Sequence, residues 1–362
     1  MKIRSIIMLV ALMSIATTQK ASACTGITLQ TSNGQTIVAR TIEWAGGDLE
    51  SRYTVVPRGY RQRAIVPVEE NEGMEFMAHY GYLGLSVERP EFVVEGINEK
   101  GLSAGLFYFP GYGEYMAYDS KEKDKTISDL QVVSFVLGNC KSVEEAQQKL
   151  KDLRIISGDP RGSTVHWRIA DASGRQIVLE IIGQKMVFYE NKLGVLTNSP
   201  SFDWHLTNLN NYINLSSGPI YSKKIGKLEL TAFGGGSGLH GLPGDMTPPS
   251  RFIRAAVFQA TAPQLNTPEA TVEQAFHILN NFDIPTGIQF TAEQNVPNIP
   301  SATQWTVVTN LKDKKIYYRT MYNSNIRCFD LNKIKFDKVK YTSQPLDKEK
   351  AQPINEIIIK HY

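Results

Sequence analysis

The sequence predicts an α+β fold, a four-layer αββα sandwich in which helices cover two packed antiparallel sheets. Three observations carry this expectation. Strand-like runs come in pairs joined by tight turns, so neighbouring strands run antiparallel. Helix-like runs follow one another in pairs instead of alternating with single strands, which segregates helices from sheets. Both groups of strands are apolar on more than one face, so each sheet needs cover on both sides.

The elements follow in order. Residues 25–31 and 36–43 alternate around the turn Ser32-Asn33-Gly34 and read as a hairpin. A second hairpin runs over 92–97, turns at Asn98-Glu99-Lys100-Gly101 and returns over 102–109. Two helices are expected next. Residues 127–137 are apolar at helical spacing, and 143–153 open on Ser142 and Glu145, a capping-box pair. Strands resume at 164–170, 176–182 and 187–196. Helices are expected near 205–213, 251–260 and 272–281, the last capped by Thr271 and Gln274. Strands 304–311 and 315–322, joined by Lys312-Asp313-Lys314, close the pattern, and Ile357-Ile358-Ile359 reads as a short strand. No repeat, low-complexity tract or linker interrupts the chain. Apolar residues make up 42% of it, enough for a substantial core.

The N-terminus has the order of a secretory signal peptide over residues 1–23. Lys2 and Arg4 precede a short apolar run, and Ala21-Ser22-Ala23 forms a small-x-small cleavage site. The run is too short for a bilayer, which needs roughly 20 apolar residues, and no second run approaches that length. Cleavage after Ala23 leaves residues 24–362 as one domain, exported to a periplasm or the cell exterior. Three of the 39 Lys and Arg residues (Lys2, Arg4 and Lys20) lie in the leader and none of the 36 Asp and Glu residues does. The mature chain is therefore formally neutral, and nothing in it asks for nucleic acid or an anionic membrane surface.

Three cysteines remain, too few for a disulfide scaffold. Cys140 and Cys328 read as small buried hydrophobes, with a disulfide between them left open. Common catalytic motifs are missing. There is no HExxH, and the six histidines show no ligand spacing, so they read as ordinary core or surface residues. Gly236 to Gly241 matches GxGxxG by letter, but Pro243 follows at once and the segment reads as a loop. Cys24 stands apart because cleavage makes it the first residue. Its α-amine, with an ordinary pKa of about 7.7–8.0, is then held beside its own thiol as a base. Two other readings stay open on these grounds. Cys24 is the anchor of a lipid-bound surface binding protein, although Ala21 stands where such signals usually carry Leu, or it is a plain structural cysteine.

Residues further along resolve the choice by resemblance. Cys24-Thr25-Gly26-Ile27 and Arg40-Thr41-Ile42-Glu43-Trp44 resemble the start of the choloylglycine hydrolase family, N-terminal-nucleophile hydrolases that include bile salt hydrolases and penicillin V acylases. Similar segments are 95–102, 194–205 (containing Thr197-Asn198-Ser199-Pro200) and 241–245, which leads to Ser250-Arg251-Phe252. The resemblance covers nearly the whole mature chain. It implies that Cys24 is nucleophile and base, that Arg40 favours the thiolate, and that Asn198 donates its side-chain amide to the oxyanion. It further implies the backbone N–H of Tyr108 as second donor, Arg251 as a brace and Glu43 as holder of the α-amine. No metal or organic cofactor is implied. The implied substrate is a small amphipathic amide, a glycine- or taurine-conjugated bile acid, with aromatic segments 107–109 and 80–82 as candidate pocket walls. The alternative is the phenoxyacetyl amide of penicillin V. A homotetramer is expected on the same ground. Two positions depart from the pattern. Glu43 stands where the family usually has Asp, which puts its reach to the amine in question. Tyr108 stands where bile salt hydrolases commonly carry Asn and penicillin V acylases often carry Tyr, which puts substrate preference in question.

Overall fold

A computed structural model describes residues 22–44, 46–67, 73–159, 162–291, 293 and 301–359. The leader predicted over 1–23 thus lies outside the described residues except for Ser22 and Ala23.

Two antiparallel sheets form the middle of the molecule. The first has five strands. Strand β1 (Ser22–Gln30) lies at one edge, followed by β2 (Thr36–Trp44), Thr303–Asn310, Lys315–Thr320 and Asn323–Asp330. The second has eight strands in the order Lys185–Glu190, Gln176–Ile182, Val165–Ala170, Ser103–Tyr108, Val93–Asn98, Tyr82–Ser86, β3 (Arg52–Val56) and Thr342–Pro345. Helices α1 (Val132–Asn139) and α2 (Val143–Lys151) pack on the eight-stranded sheet. Helices α4 (Pro248–Thr261) and α5 (Pro268–Leu279) pack on the five-stranded one, and β1 meets Ser103–Tyr108 between the sheets. The expected αββα layering is therefore the observed one. Strands Tyr82–Ser86, Val93–Asn98 and Thr303–Asn310 are buried at every position, as sheets covered on both faces require.

Several boundaries differ from expectation for local reasons. The helix expected over 127–137 is broken: Thr126–Ser128 pairs in parallel with Arg154–Ile156, and a short 3₁₀ turn precedes α1. Helix α5 starts four residues earlier than expected. Thr267 is the N-cap, its hydroxyl accepting from Ala270 N–H at 3.2 Å, and Pro268 fills the first turn, where its missing N–H costs nothing. Helix α3 (Phe202–Asn208) likewise begins before residue 205 and ends in a 3₁₀ turn. The strand expected over 187–196 stops at Glu190, and only Leu196 beyond it makes a bridge, to Gly26. Ser142 caps α2 as expected, accepting from Glu145 N–H at 3.2 Å, while the Glu145 carboxylate accepts from Lys141 N–H at 2.8 Å. Ile357 to Ile359 are exposed and outside any strand. Cys140 is buried, whereas Cys328 is exposed, and both are free thiols, so no disulfide joins them.

Candidate active site

The β1–β2 register builds the site. It sets Cys24 opposite Ile42, Gly26 opposite Arg40 and Ala23 opposite Glu43. Cys24 and Gly26 share a face because strand side chains alternate. Gly26 is needed there: a Cβ would lie 3.0 Å from the Phe107 ring and 3.1 Å from Arg168 Nη1. On the same face the Arg40 guanidinium reaches the sulfur. Arg40 Nη2 donates to Cys24 Sγ at 2.8 Å, its Nε donates to Thr41 O at 3.1 Å, and Nη1 donates to the carbonyls of Leu106 and Val94. The guanidinium lies 4.0 Å over the Phe107 ring. No charged side chain in this group is exposed, and Arg40 is paired with Glu95 at 3.5 Å. Glu95 in turn pairs with Arg168 at 3.2 Å, and Arg168 Nη1 donates to Ala39 O at 3.2 Å.

Asn198 reaches the same place from the segment after Glu190. That segment is tied to the free edge of β1 by Gly26 N–H to Leu196 O at 2.7 Å and Leu196 N–H to Gly26 O at 3.1 Å. The Asn198 amide has a fixed orientation. Its Oδ1 accepts from Cys24 N–H at 2.9 Å and from Arg251 Nη2 at 2.7 Å, and its Nδ2 donates to Tyr108 O at 2.7 Å. One Nδ2 hydrogen is left to serve a ligand. Arg251 stands in the first turn of α4. It donates through Nη1 to Cys24 O and to Thr25 Oγ1 at 2.8 Å, and through Nε to Met246 O at 2.9 Å. The Tyr108 N–H favours the charged form of the Cys24 sulfur.

Electrostatics at the site are dominated by burial. Ser22 and Ala23 continue β1 past the thiol, Ala23 packs with Ile284 and Ala302, and Cys24 is 2% exposed. Burial pushes the Cys24 thiol above its ordinary pKa, and the Arg40 charge opposes it; Glu43 pushes up, while the Tyr108 N–H and Arg251 pull down. Burial likewise pushes Glu43 up to about 7 against the Arg251 charge, the Thr41 hydroxyl and Arg40. Were the expected cleavage after Ala23 to occur, Glu43 would lose its strand partner and the Cys24 nitrogen would become a basic amine.

All six residues singled out in the sequence, Cys24, Arg40, Glu43, Tyr108, Asn198 and Arg251, converge on this spot. Other expectations need correction. Phe107, Phe109 and Tyr82 are fully buried core residues, not pocket walls: Phe107 lies under Arg40, Phe109 stacks on His166 at 4.5 Å, and the Tyr82 hydroxyl accepts from Gln62. His166 and His205 are core residues as expected, and both bond the segment that carries Asn198. Glu95 and Arg168 were also missed. The available signal was a charge inside a strand whose neighbours are all apolar, which a two-sided sheet tolerates only with a buried partner. The GxGxxG letters form a loop with one short 3₁₀ turn, as expected. Among the described residues no helix is long and apolar enough to cross a membrane.

Chemically, this is a thiol with a guanidinium at its sulfur, an oriented amide and a backbone donor beside it, and a carboxyl paired across the strand. Comparison with known proteins fits that set. Residues 24–344 match the family described as linear amide C–N hydrolases, choloylglycine hydrolase family. The chain is 35% identical to a bile salt hydrolase/transferase of Clostridium perfringens over 328 residues, 87% of this chain and 94% of that protein. Among solved structures, a conjugated bile acid hydrolase from Clostridium perfringens superposes with a TM-score of 0.80 at 32% identity, covering 92% of this chain and all of that one. A penicillin V acylase from Agrobacterium tumefaciens gives 0.71 at 26% identity, covering 90% of this chain and 91% of that one. The chain therefore belongs to the choloylglycine hydrolase family, enzymes that cleave linear amide C–N bonds.

Proposed function

We propose that the mature chain hydrolyses glycine- or taurine-conjugated bile acids through a thioester on Cys24. The observation that carries the reading is the paired anchoring of Cys24: its sulfur on Arg40 at 2.8 Å and its nitrogen on Asn198 at 2.9 Å. A nucleophile and an adjacent base each held by a dedicated partner is what N-terminal activation needs. In the reaction the α-amine takes the thiol proton and the sulfur attacks the amide carbonyl carbon. The oxyanion receives the second Asn198 Nδ2 hydrogen and the Tyr108 N–H. The amine then gives its proton to the leaving nitrogen as the C–N bond breaks, releasing glycine or taurine. Water attacks the thioester, delivering a proton back through the amine, and the free acid departs. Glu43, opposite the bond that is cut, balances the charge of the protonated amine. The bile salt choice rests on the Clostridium perfringens relatives. Export to a periplasm or the cell exterior belongs to the same reading and rests on the leader.

A second reading has its own observation. Tyr108 fits the penicillin V acylase pattern, and the same machinery would then cleave a phenoxyacetyl amide. Product release from glycocholate, taurocholate and penicillin V by the purified mature protein, with Cys24→Ser as control, decides between them. Faster turnover of penicillin V rejects the bile salt assignment, and an active Cys24→Ser rejects the thioester. The lipid-anchor reading is disfavoured by the burial of the sulfur against Arg40, and an intact mass carrying a diacylglyceryl adduct would restore it.

A further inference from the structure

We propose that His166 and His205 are positioning residues for Asn198, and that the buried carboxylate of Glu180 anchors both. The inference rests on reading Asn198 as the oxyanion donor.

The direction of a side chain is set by the two peptide planes that flank its Cα. For Asn198 these carry the carbonyls of Thr197 and Asn198 itself. Neither carbonyl has a strand partner, because pairing to β1 ends at Leu196. Each is instead met by a histidine. His166 Nε2 lies 3.2 Å from Thr197 O, and His205 Nε2 lies 2.8 Å from Asn198 O. Both acceptors are carbonyls, so both Nε2 atoms carry hydrogen and donate.

Both rings are held in turn. His166 Nδ1 is 3.0 Å from Glu180 Oε1, and its ring stacks on Phe109 at 4.5 Å and 10°. With the proton between Nδ1 and Oε1 on either atom, the Nε2–H remains. His205 stacks on Phe252 at 4.6 Å and 12°. It stays neutral, with burial pushing its pKa down to about 4, and its Nδ1 has no hydrogen-bond partner among the described residues. Glu180 Oε1 also accepts from Phe202 N–H at 3.0 Å, which fixes the first turn of α3, the helix that carries His205. One carboxylate therefore reaches both flanking carbonyls, through His166 directly and through α3 to His205. All three side chains are fully buried. A buried polar chain of this kind confers little net stability but fixes geometry, and misplacing a reacting group by about 1 Å costs on the order of 100-fold in rate.

The test compares His205→Phe with His205→Gln in the mature protein. Phenylalanine keeps the ring on Phe252 and removes the donor; glutamine restores an N–H near the Nε2 position. The readouts are kcat and KM on the amide that the wild type turns over, and the rate of Cys24 alkylation by iodoacetamide, which uses no oxyanion donor. The expected result for His205→Phe is a fall in kcat of about 10-fold or more, with KM and alkylation within about twofold of wild type. His205→Gln should recover most of kcat. The same pair at His166 should behave alike and decides the matter where His205→Phe does not fold. The inference is overturned when the Phe variants keep kcat within about twofold, or when the Gln variants are as slow as the Phe ones, since packing alone then explains the rings. A wild type that turns over no amide defeats the functional reading, and this inference with it; an active wild type with the outcomes just named defeats the inference alone.

Discussion

Arg40→Met in the mature protein should raise the pH at which Cys24 becomes reactive. The substitution keeps most of the apolar stem and deletes a cation that lies over Phe107 and donates to the sulfur at 2.8 Å. An opposite charge this close lowers a thiol pKa by about 1–3. Taking about 2, the thiolate fraction at pH 7 falls about 100-fold. The remaining thiolate is more nucleophilic by about 6- to 10-fold, for a Brønsted slope of about 0.4–0.5. Alkylation by iodoacetamide at pH 7 should therefore slow by roughly 10- to 15-fold, and its pH midpoint should rise by about 2. Glu95, left with Arg168 as its remaining ion-pair partner, pushes the same way. Arg40→Lys should fall between, because it keeps the charge but loses the fork that bonds Leu106 and Val94 together with the sulfur. A midpoint in Arg40→Met within about 0.3 of wild type would refute the assignment of Arg40 as the group that sets thiol reactivity.

Asn198→Ala should lower kcat by about 100- to 1000-fold while iodoacetamide alkylation persists; equal losses in both would mean that the thiol site itself had collapsed. Asp129→Asn should stabilise the fold at neutral pH. Burial pushes the Asp129 carboxyl up to about 6 from an ordinary 3.8, so the folded chain holds a proton that the unfolded chain has released between those values, and stability falls as pH rises through them. Asparagine still accepts from Gly158 and Leu130 N–H, so urea unfolding should show a gain of about 2–3 kcal/mol at most at pH 7–8, shrinking towards pH 4; a pH-independent difference counts against the burial argument. Gly105→Ala places a Cβ 2.1 Å from Glu95 Oε2, so it should cost about 1–3 kcal/mol and also slow Cys24 alkylation; unaltered urea unfolding would show that Glu95 can swing away freely.

Much of the fold was legible because its signals are local. The turn residues 32–34 and the alternation on either side set the register that brings Cys24, Arg40 and Glu43 together. What escaped notice was long-range. Tyr82–Ser86 and Arg52–Val56 are strands of only five residues, and they exist because the sheet supplies neighbours on either side. Asn323–Asp330 and Thr342–Pro345 are polar edge strands, which carry little hydrophobic pattern. At the site, residue identities were readable by resemblance. The buried partners were not, since Glu95, Arg168, Glu180, His166 and His205 acquire meaning only when distant strands stack. The aromatic segments misled for a related reason: apolar character does not say which side of a wall a ring occupies.

The continuation of β1 through Ala23 has a consequence for the order of events in the cell. The bond proposed to be cut lies between residues that are 5% and 2% exposed, inside a strand already paired with β2. A peptidase that grips its substrate in extended form has no access to it once the strand has zipped up. On the proposal that the leader is cut after Ala23, its removal must outrun folding, and a chain that folds first is stranded: every side chain of the site is in place, yet the nitrogen proposed as the base is still an amide. The yield of active enzyme is then a competition between two clocks, and slowing the closure of the first hairpin would raise it.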